Sequence, residues 1–140
     1  MTMKQLSVFV ENKPGTLAEI TGVLGENQID MRALSVADTE RYGILRLIVD
    51  KPQEAETALK AAGFKVSLTD VIGIAVQNQP GGLSQALKYV AQVGIAVEYM
   101  YAFVSQKRDT AYVILRVQDN KKAIAALKEG GIPIICEKEV

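Results

Sequence analysis

The stretch Val10-Glu11-Asn12-Lys13-Pro14-Gly15-Thr16-Leu17 returns as Val76-Gln77-Asn78-Gln79-Pro80-Gly81-Gly82-Leu83, 66 residues further on. Each copy follows a short apolar run that reads as a strand. Each opens a segment with helical spacing. In such a turn Pro restricts φ, Gly accepts conformations closed to other residues, and Asn bonds to nearby backbone. The same turn presents backbone N–H groups at a helix N-terminus, where a carboxylate or another anion can be held. A second pair of blocks recurs in the same order. Ala58-Leu59-Lys60-Ala61-Ala62-Gly63-Phe64 matches Ala126-Leu127-Lys128-Glu129-Gly130-Gly131-Ile132 at an offset of 68 residues. Two matched blocks describe a duplicated unit that has drifted by small insertions.

Within the first copy, Leu6, Val8 and Val10 alternate with Gln5, Ser7 and Phe9, the period of a strand. After the turn, with Thr16 as candidate helix cap, Leu17, Ile20 and Leu24 recur at helical spacing beside Val23. Gly25 and Asn27 close that helix. A second strand is expected from Ile29, Asp30 and Met31 through Val36, a polar hairpin at 38–41, and a third strand over 42–49. Pro52 starts a second helix, where its missing N–H is harmless. Ala55, Ala58, Leu59 and Ala62 form its apolar face, and Gly63 stops it. A fourth strand spans 64–70. The next strand, 71–76, follows with little or no linker. The second copy then repeats the order. A helix carries Leu83, Ala86, Leu87, Val90 and Val93. A long strand alternates Ile95, Val97, Tyr99, Tyr101 and Phe103, and a hairpin lies at 106–109. A strand covers 111–117, a helix capped by Asn120 carries Ala123, Ile124 and Leu127, and a last strand covers 132–136. The class is therefore α+β. Two ferredoxin-like βαββαβ units, 1–70 and 71–140, each have an antiparallel sheet with helices on one face. The other sheet face must be polar, be covered by a partner, or pair into a larger sheet.

Composition narrows the function. The 140 residues carry 16 basic and 16 acidic side chains, so the clustered positive face that grips nucleic acid is not expected. There is no histidine, which removes the commonest general base and the commonest transition-metal ligand. No catalytic set, metal site or cofactor motif is expected. The single cysteine, Cys136, allows no intrachain disulfide and reads as a buried or edge-strand thiol. No apolar stretch approaches membrane-spanning length or a signal peptide, so a cytoplasmic protein without membrane partner is expected. The stripe Tyr99, Tyr101, Phe103 reads as packing rather than as a base-stacking platform, because no basic residues surround it.

The order of elements, with Val-Glu-Asn-Lys-Pro-Gly-Thr-Leu and then Gln-Ile-Asp-Met after one helix, resembles the ACT domain, twice over nearly the whole chain. That family comprises small regulatory modules that bind amino acids. The resemblance implies a non-catalytic regulatory protein that binds a small amino acid at an interface between ACT-like units. It further implies a homo-oligomer, in the simplest case a dimer, acting on a partner enzyme or regulator. It implicates Asn12, Pro14, Gly15, Thr16 and Leu17, with Ile29, Asp30 and Met31, and in the second unit Asn78, Gly81, Gly82 and Leu83. The physical reading agrees. Amides at residues 15–17, at the positive end of a helix, suit an α-carboxylate, and Asp30 supplies the opposite charge for an α-ammonium. Ala96 stands where the repeat places Asp30, and Glu98, two residues on, is the available substitute. Two competing readings stand beside this one: the turn as structural only, and Asp30 as ion-pair partner of Arg32 or Lys4. A ligand-independent dimerisation or docking module is the alternative function.

Overall fold

The computed structural model describes residues 1–38, 40–105 and 107–140. Alternating apolar residues build β1 (Met3–Glu11), and the first turn leads into α1 (Thr16–Glu26). The chain continues through β2 (Met31–Asp38), β3 (Tyr42–Val49), α2 (Pro52–Ala61) and β4 (Lys65–Gln77). After the second turn come α3 (Gly82–Gln92), β5 (Tyr99–Val104), β6 (Thr110–Arg116), α4 (Asn120–Glu129) and β7 (Ile134–Ile135). A 3-10 turn, Glu137–Glu139, follows. Two units result: a first unit, Lys4–Thr69, and a second unit of Asp70–Val140 together with Met1–Met3.

In the first unit the strand order is β2-β3-β1-β4, with β3 antiparallel to both β1 and β2. Leu6, Val8, Val10, Leu45, Leu47 and Val49 share one face and bury against Ile20 and Leu24 of α1 and Ala55 and Leu59 of α2. Both helices therefore cover the same side of the sheet, as the helix periodicity requires. In the second unit the order is β5-β6-β4-β7, with antiparallel pairing throughout. Its core repeats the pattern with Ile72, Ile74, Val76, Val113 and Leu115 against Ala86, Val90, Ala123 and Leu127. The α+β class with two βαββαβ units is what the sequence leads one to expect.

Several boundaries differ from that expectation, each for a physical reason. The strands expected at 64–70 and 71–76 are one strand of thirteen residues, β4, because nothing between them breaks the extended backbone. Thr16 is not a cap: Gly15, in the left-handed conformation, is the N-cap of α1, and Thr16 is its first residue. Asn120 is likewise the first residue of α4, capped by Asp119, whose carboxylate accepts the Lys122 N–H at 3.1 Å. β2 starts at Met31, not Ile29, with a bulge between Met31 and Ala33. β5 starts at Tyr99, not Ile95. Ile95 and Val97 still pack on the core, which explains their alternation, but they lie in the connection that follows Gly94 in positive φ. The last strand is only Ile134–Ile135. Pro133 has no N–H to donate, and the Cys136 N–H turns to the Glu139 carboxylate at 3.2 Å. Leu17 is 43% exposed and does not join the face of α1 that Ile20 and Leu24 bury. Ala58 and Ala62 lie outside the buried set of α2, which is Pro52, Ala55 and Leu59. Of the expected hairpin connections, Thr39 and Gln106 lie outside the described residues.

Candidate functional site

The two Asn-x-Pro-Gly turns are the same hydrogen-bonded object built twice. Asn12 N–H donates to the Arg41 carbonyl and Asn78 N–H to the Asp109 carbonyl, both at 2.8 Å, so each turn is tied to the hairpin connection of its own sheet. Lys13 N–H reaches back to Glu11, and Gln79 N–H to Gln77. Gly15 has φ 90° and Gly81 φ 86°, a left-handed conformation that costs glycine nothing. Each helix then begins with a bond back to that glycine, Glu19 to Gly15 at 2.9 Å and Gln85 to Gly81 at 3.1 Å. The next amides, of Leu17 and Ala18 in α1 and of Leu83 and Ser84 in α3, are among those a helix start leaves without an intrahelical partner. Both turns lie at the surface. A helix start of this kind favours negative charge.

The residue after the left-handed glycine separates the two. Thr16 is 7% exposed, and its hydroxyl is buried without a hydrogen-bond partner. At the second turn Gly82 holds that place, and a Cβ added there would stand 2.2 Å from the Gln77 carbonyl oxygen. The closing bond is 3.4 Å from Thr16 N–H to the Lys13 carbonyl, but 3.1 Å from Gly82 N–H to the Gln79 carbonyl. A cleft of about 390 Å³ adjoins the second turn. It is lined by Gln77, Gly82, Gln85, Thr110 and the Gly130-to-Pro133 connection among others, with no charged side chain.

Around the first turn the remaining residues are placed differently from one another. The Asn12 carboxamide donates to the Glu40 carbonyl at 3.4 Å. Asp30 lies just before β2. Its backbone is held by Asp50, whose Oδ1 accepts the Asp30 N–H at 2.9 Å and whose own N–H donates to the Asp30 carbonyl at 3.1 Å. The Asp30 carboxylate is 65% exposed and sits 3.3 Å from Arg32, one of the two pairings the sequence offers. Ile29 turns into the core and Met31 is partly buried against it. In the second unit Ala96 and Glu98 line a separate cleft of about 370 Å³ with Gln118, Asp119 and Lys122. The Glu98 carboxylate is 3.9 Å from Arg116. Asp50 and the orphaned Thr16 hydroxyl are contributions that residue types alone did not announce. The Asp50-Lys51-Pro52 helix start was the nearest available signal for the former.

Among the described residues, no group of three or more His, Cys, Asp or Glu side chains is placed to hold a metal ion, and no helix is long and apolar enough to cross a membrane.

Strand-to-helix turns of one design on duplicated βαββαβ units define a tandem of small α+β modules as the class of protein. The chain matches the ACT domain pair over residues 1–140, and it belongs to that family. It is similar to a protein from Bacteroides thetaiotaomicron of known crystal structure, at 40% identity and a TM-score of 0.93, over 99% of this chain and 95% of that one. It shares the fold of the regulatory subunit of aspartate kinase from Thermus thermophilus in its ligand-free form. That likeness has 18% identity and a TM-score of 0.68, over 91% of each chain. The corresponding subunit from Thermus flavus superposes with a TM-score of 0.65 at 16% identity, over 91% of this chain and 92% of that one. Among curated protein sequences, none matches the chain.

Proposed function

We propose that this chain is a non-catalytic regulatory protein that binds a small amino acid at its Asn-x-Pro-Gly turn and acts, as a dimer, on a partner enzyme or regulator. The observation that carries this reading is the turn itself: a left-handed glycine and an uncapped helix start at the surface, hydrogen-bonded to the neighbouring hairpin connection. The α-carboxylate sits on the amides of Leu17 and Ala18. Asp30 receives the α-ammonium by exchanging its contact with Arg32, an exposed pair of the kind that contributes about 0–1 kcal/mol. Asn12, Pro14 and Gly15 shape the turn, and Ile29 and Met31 hold Asp30 in place from the core side. In the second unit Asn78, Gly81, Gly82 and Leu83 rebuild the turn without an aspartate at the position of Asp30. Binding orders the turn and shifts the population of the surface displayed to the partner. Membership of the ACT domain pair family supports this reading.

The test is a thermal-shift screen of the whole chain against the twenty amino acids at millimolar concentration. A ligand present at 100 times its Kd stabilises by about 2.7 kcal/mol. A rise of several degrees for one chemical group is the expected result. No rise with any of them favours the docking module, for which the exposed Leu34 and Val36 on the edge strand β2 supply an apolar surface.

A further inference from the structure

The first sheet has a second face, away from α1 and α2, and part of it carries side chains that the fold does not require. Residues opposite each other on neighbouring strands share a face. The pairs Ser7–Arg46, Phe9–Ile44 and Glu11–Tyr42 therefore stand together, on the side opposite Leu6, Val8, Leu45 and Leu47 of the core. The Phe9 and Tyr42 rings lie side by side, centroids 5.4 Å apart with 33° between their planes. They are 49% and 47% exposed. Next to them is a cleft of about 230 Å³ lined by Ser7, Phe9, Ile44, Lys65, Val66 and Ser67. Lys65 and Ser67 are exposed, and Lys65 makes no ion pair among the described residues. Glu11, the one acid of these pairs, is matched by Lys13 at 3.3 Å.

The duplicate shows that the fold forms without any of this. Its register repeats that of the first unit: Ala75 pairs with Tyr112 and Gln77 with Thr110, as Phe9 does with Ile44 and Glu11 with Tyr42. Ala75 and Thr110 thus stand where the first unit has its two rings. At the offset of the second matched block, Pro133 and Ile135 stand in the places of Lys65 and Ser67. Gly73 replaces Ser7, and Ile135 closes over it: a Cβ added to Gly73 would be 2.6 Å from Ile135 Cγ1. Tyr112, in the place of Ile44, is buried. The second unit fills this face with its own side chains. The first keeps a cleft, two exposed rings and an amine.

We propose that this face of the first unit binds a purine nucleoside monophosphate, with its base on Phe9 and Tyr42 and its phosphate at Lys65. Stacking on aromatic side chains needs only the π-face that every base has. Two adjacent rings offer more area than a single six-membered ring covers, which favours the fused purine. A lysine binds phosphate as a point charge. The Ser67 hydroxyl, in the same cleft, bonds to the sugar. One amine suits one phosphate group, whereas a nucleic acid strand would need the clustered positive face that this neutral chain lacks. The site shares no residue with the amino-acid turn and does not depend on that reading.

The experiment titrates the full chain with AMP, GMP, adenosine and phenylalanine, by calorimetry and by amide NMR. AMP or GMP should bind and shift the amide signals of Ser7, Phe9, Ile44 and Ser67, while those of Gly73 and Ala75 stay in place. Adenosine should bind about 10-fold more weakly, having lost the charged contact to Lys65. Phe9→Leu keeps an apolar side chain without the ring and should weaken AMP roughly 5- to 100-fold. Lys65→Gln should bring AMP down to the affinity of adenosine and remove the salt dependence of binding. Lys128→Gln, an exposed lysine of the second unit, should bind AMP as the parent does. Lys65 is exposed, so its variant should melt close to the parent and tests the site even where Phe9→Leu folds poorly. Absence of binding by both nucleotides overturns the proposal. So do signal shifts that leave Ser7, Phe9, Ile44 and Ser67 unmoved, or a Lys65→Gln chain that binds AMP as the parent does. Phenylalanine bound as tightly as AMP shows a surface that takes any ring, and overturns the nucleotide assignment.

Discussion

A single carbon atom would fare differently in the two turns. Added at Gly15 it meets open space, so Gly15→Ala is opposed only by the φ of 90°, a left-handed strain of about 1–2 kcal/mol. Added at Gly82 it collides with the backbone carbonyl of Gln77, which cannot swing away as a side chain would. Gly82→Ala should therefore destabilise by roughly 1–3 kcal/mol, read as a fall in the urea midpoint at unchanged slope. The contrast between the variants separates conformational strain from collision. Asp30 offers the opposite case. Its backbone, not its carboxylate, is what Asp50 holds, and the carboxylate is exposed beside Arg32. Asp30→Ala should leave Tm within about two degrees of the parent, as surface substitutions of about ±0.5 kcal/mol do. It should abolish the thermal shift caused by the amino acid. A retained shift would remove Asp30 from the site.

At the scale of elements, α1 and α3 start in one way and α4 in another. α1 and α3 begin on a left-handed glycine with no side-chain cap, while α4 begins on Asp119, which caps it directly. The first pair has no side-chain bond at the helix start, and α4 satisfies one of its own amides. Asp119→Ala should cost about 1 kcal/mol, the usual value of an N-cap, with amide exchange accelerated in the first turn of α4. Equal exchange in both proteins would show that the Asp119 bond contributes nothing. The expectation of caps at Thr16 and Asn120 was one residue late in both instances. At Thr16 the turn chemistry, Pro-Gly, had already completed the helix start, and at Asn120 two good caps stood side by side. The last strand shows the same limit. Apolar composition over 132–136 reads as a strand, but the Ile132 N–H turns back to the Leu127 carbonyl and the Cys136 N–H to the Glu139 carboxylate, which takes residues at either end out of the ladder.

At the scale of the whole chain, the division into units does not follow the order of residues. Met1–Met3 belongs with Asp70–Val140. Met3 is fully buried, and its Cε is 2.9 Å from where a Cβ on Gly73 would stand, close to Ile135. A residue three positions from the N-terminus thus completes the core of the C-terminal unit. Met3→Ala should cost about 2–5 kcal/mol, measured by urea unfolding, with exchange protection lost first around Gly73 and Ile135. A loss confined to residues 4–69 would contradict the placement of Met3.

The sequence alone determined the duplication, the βαββαβ order, the buried faces of the strands and of α3 and α4, and the two turns. Each of these is written in local periodicity or in residues with one conformational use, such as Pro followed by Gly. Tertiary structure decided what depends on partners distant in the chain. It joined two expected strands into β4, brought Met3 to Gly73, set Asp50 against Asp30, and left the Thr16 hydroxyl buried without a bond. A hydroxyl is satisfied or orphaned by its surroundings, and no pattern of neighbours in sequence specifies which. That is why the two turns look alike as strings of residues and differ in how their side chains are surrounded.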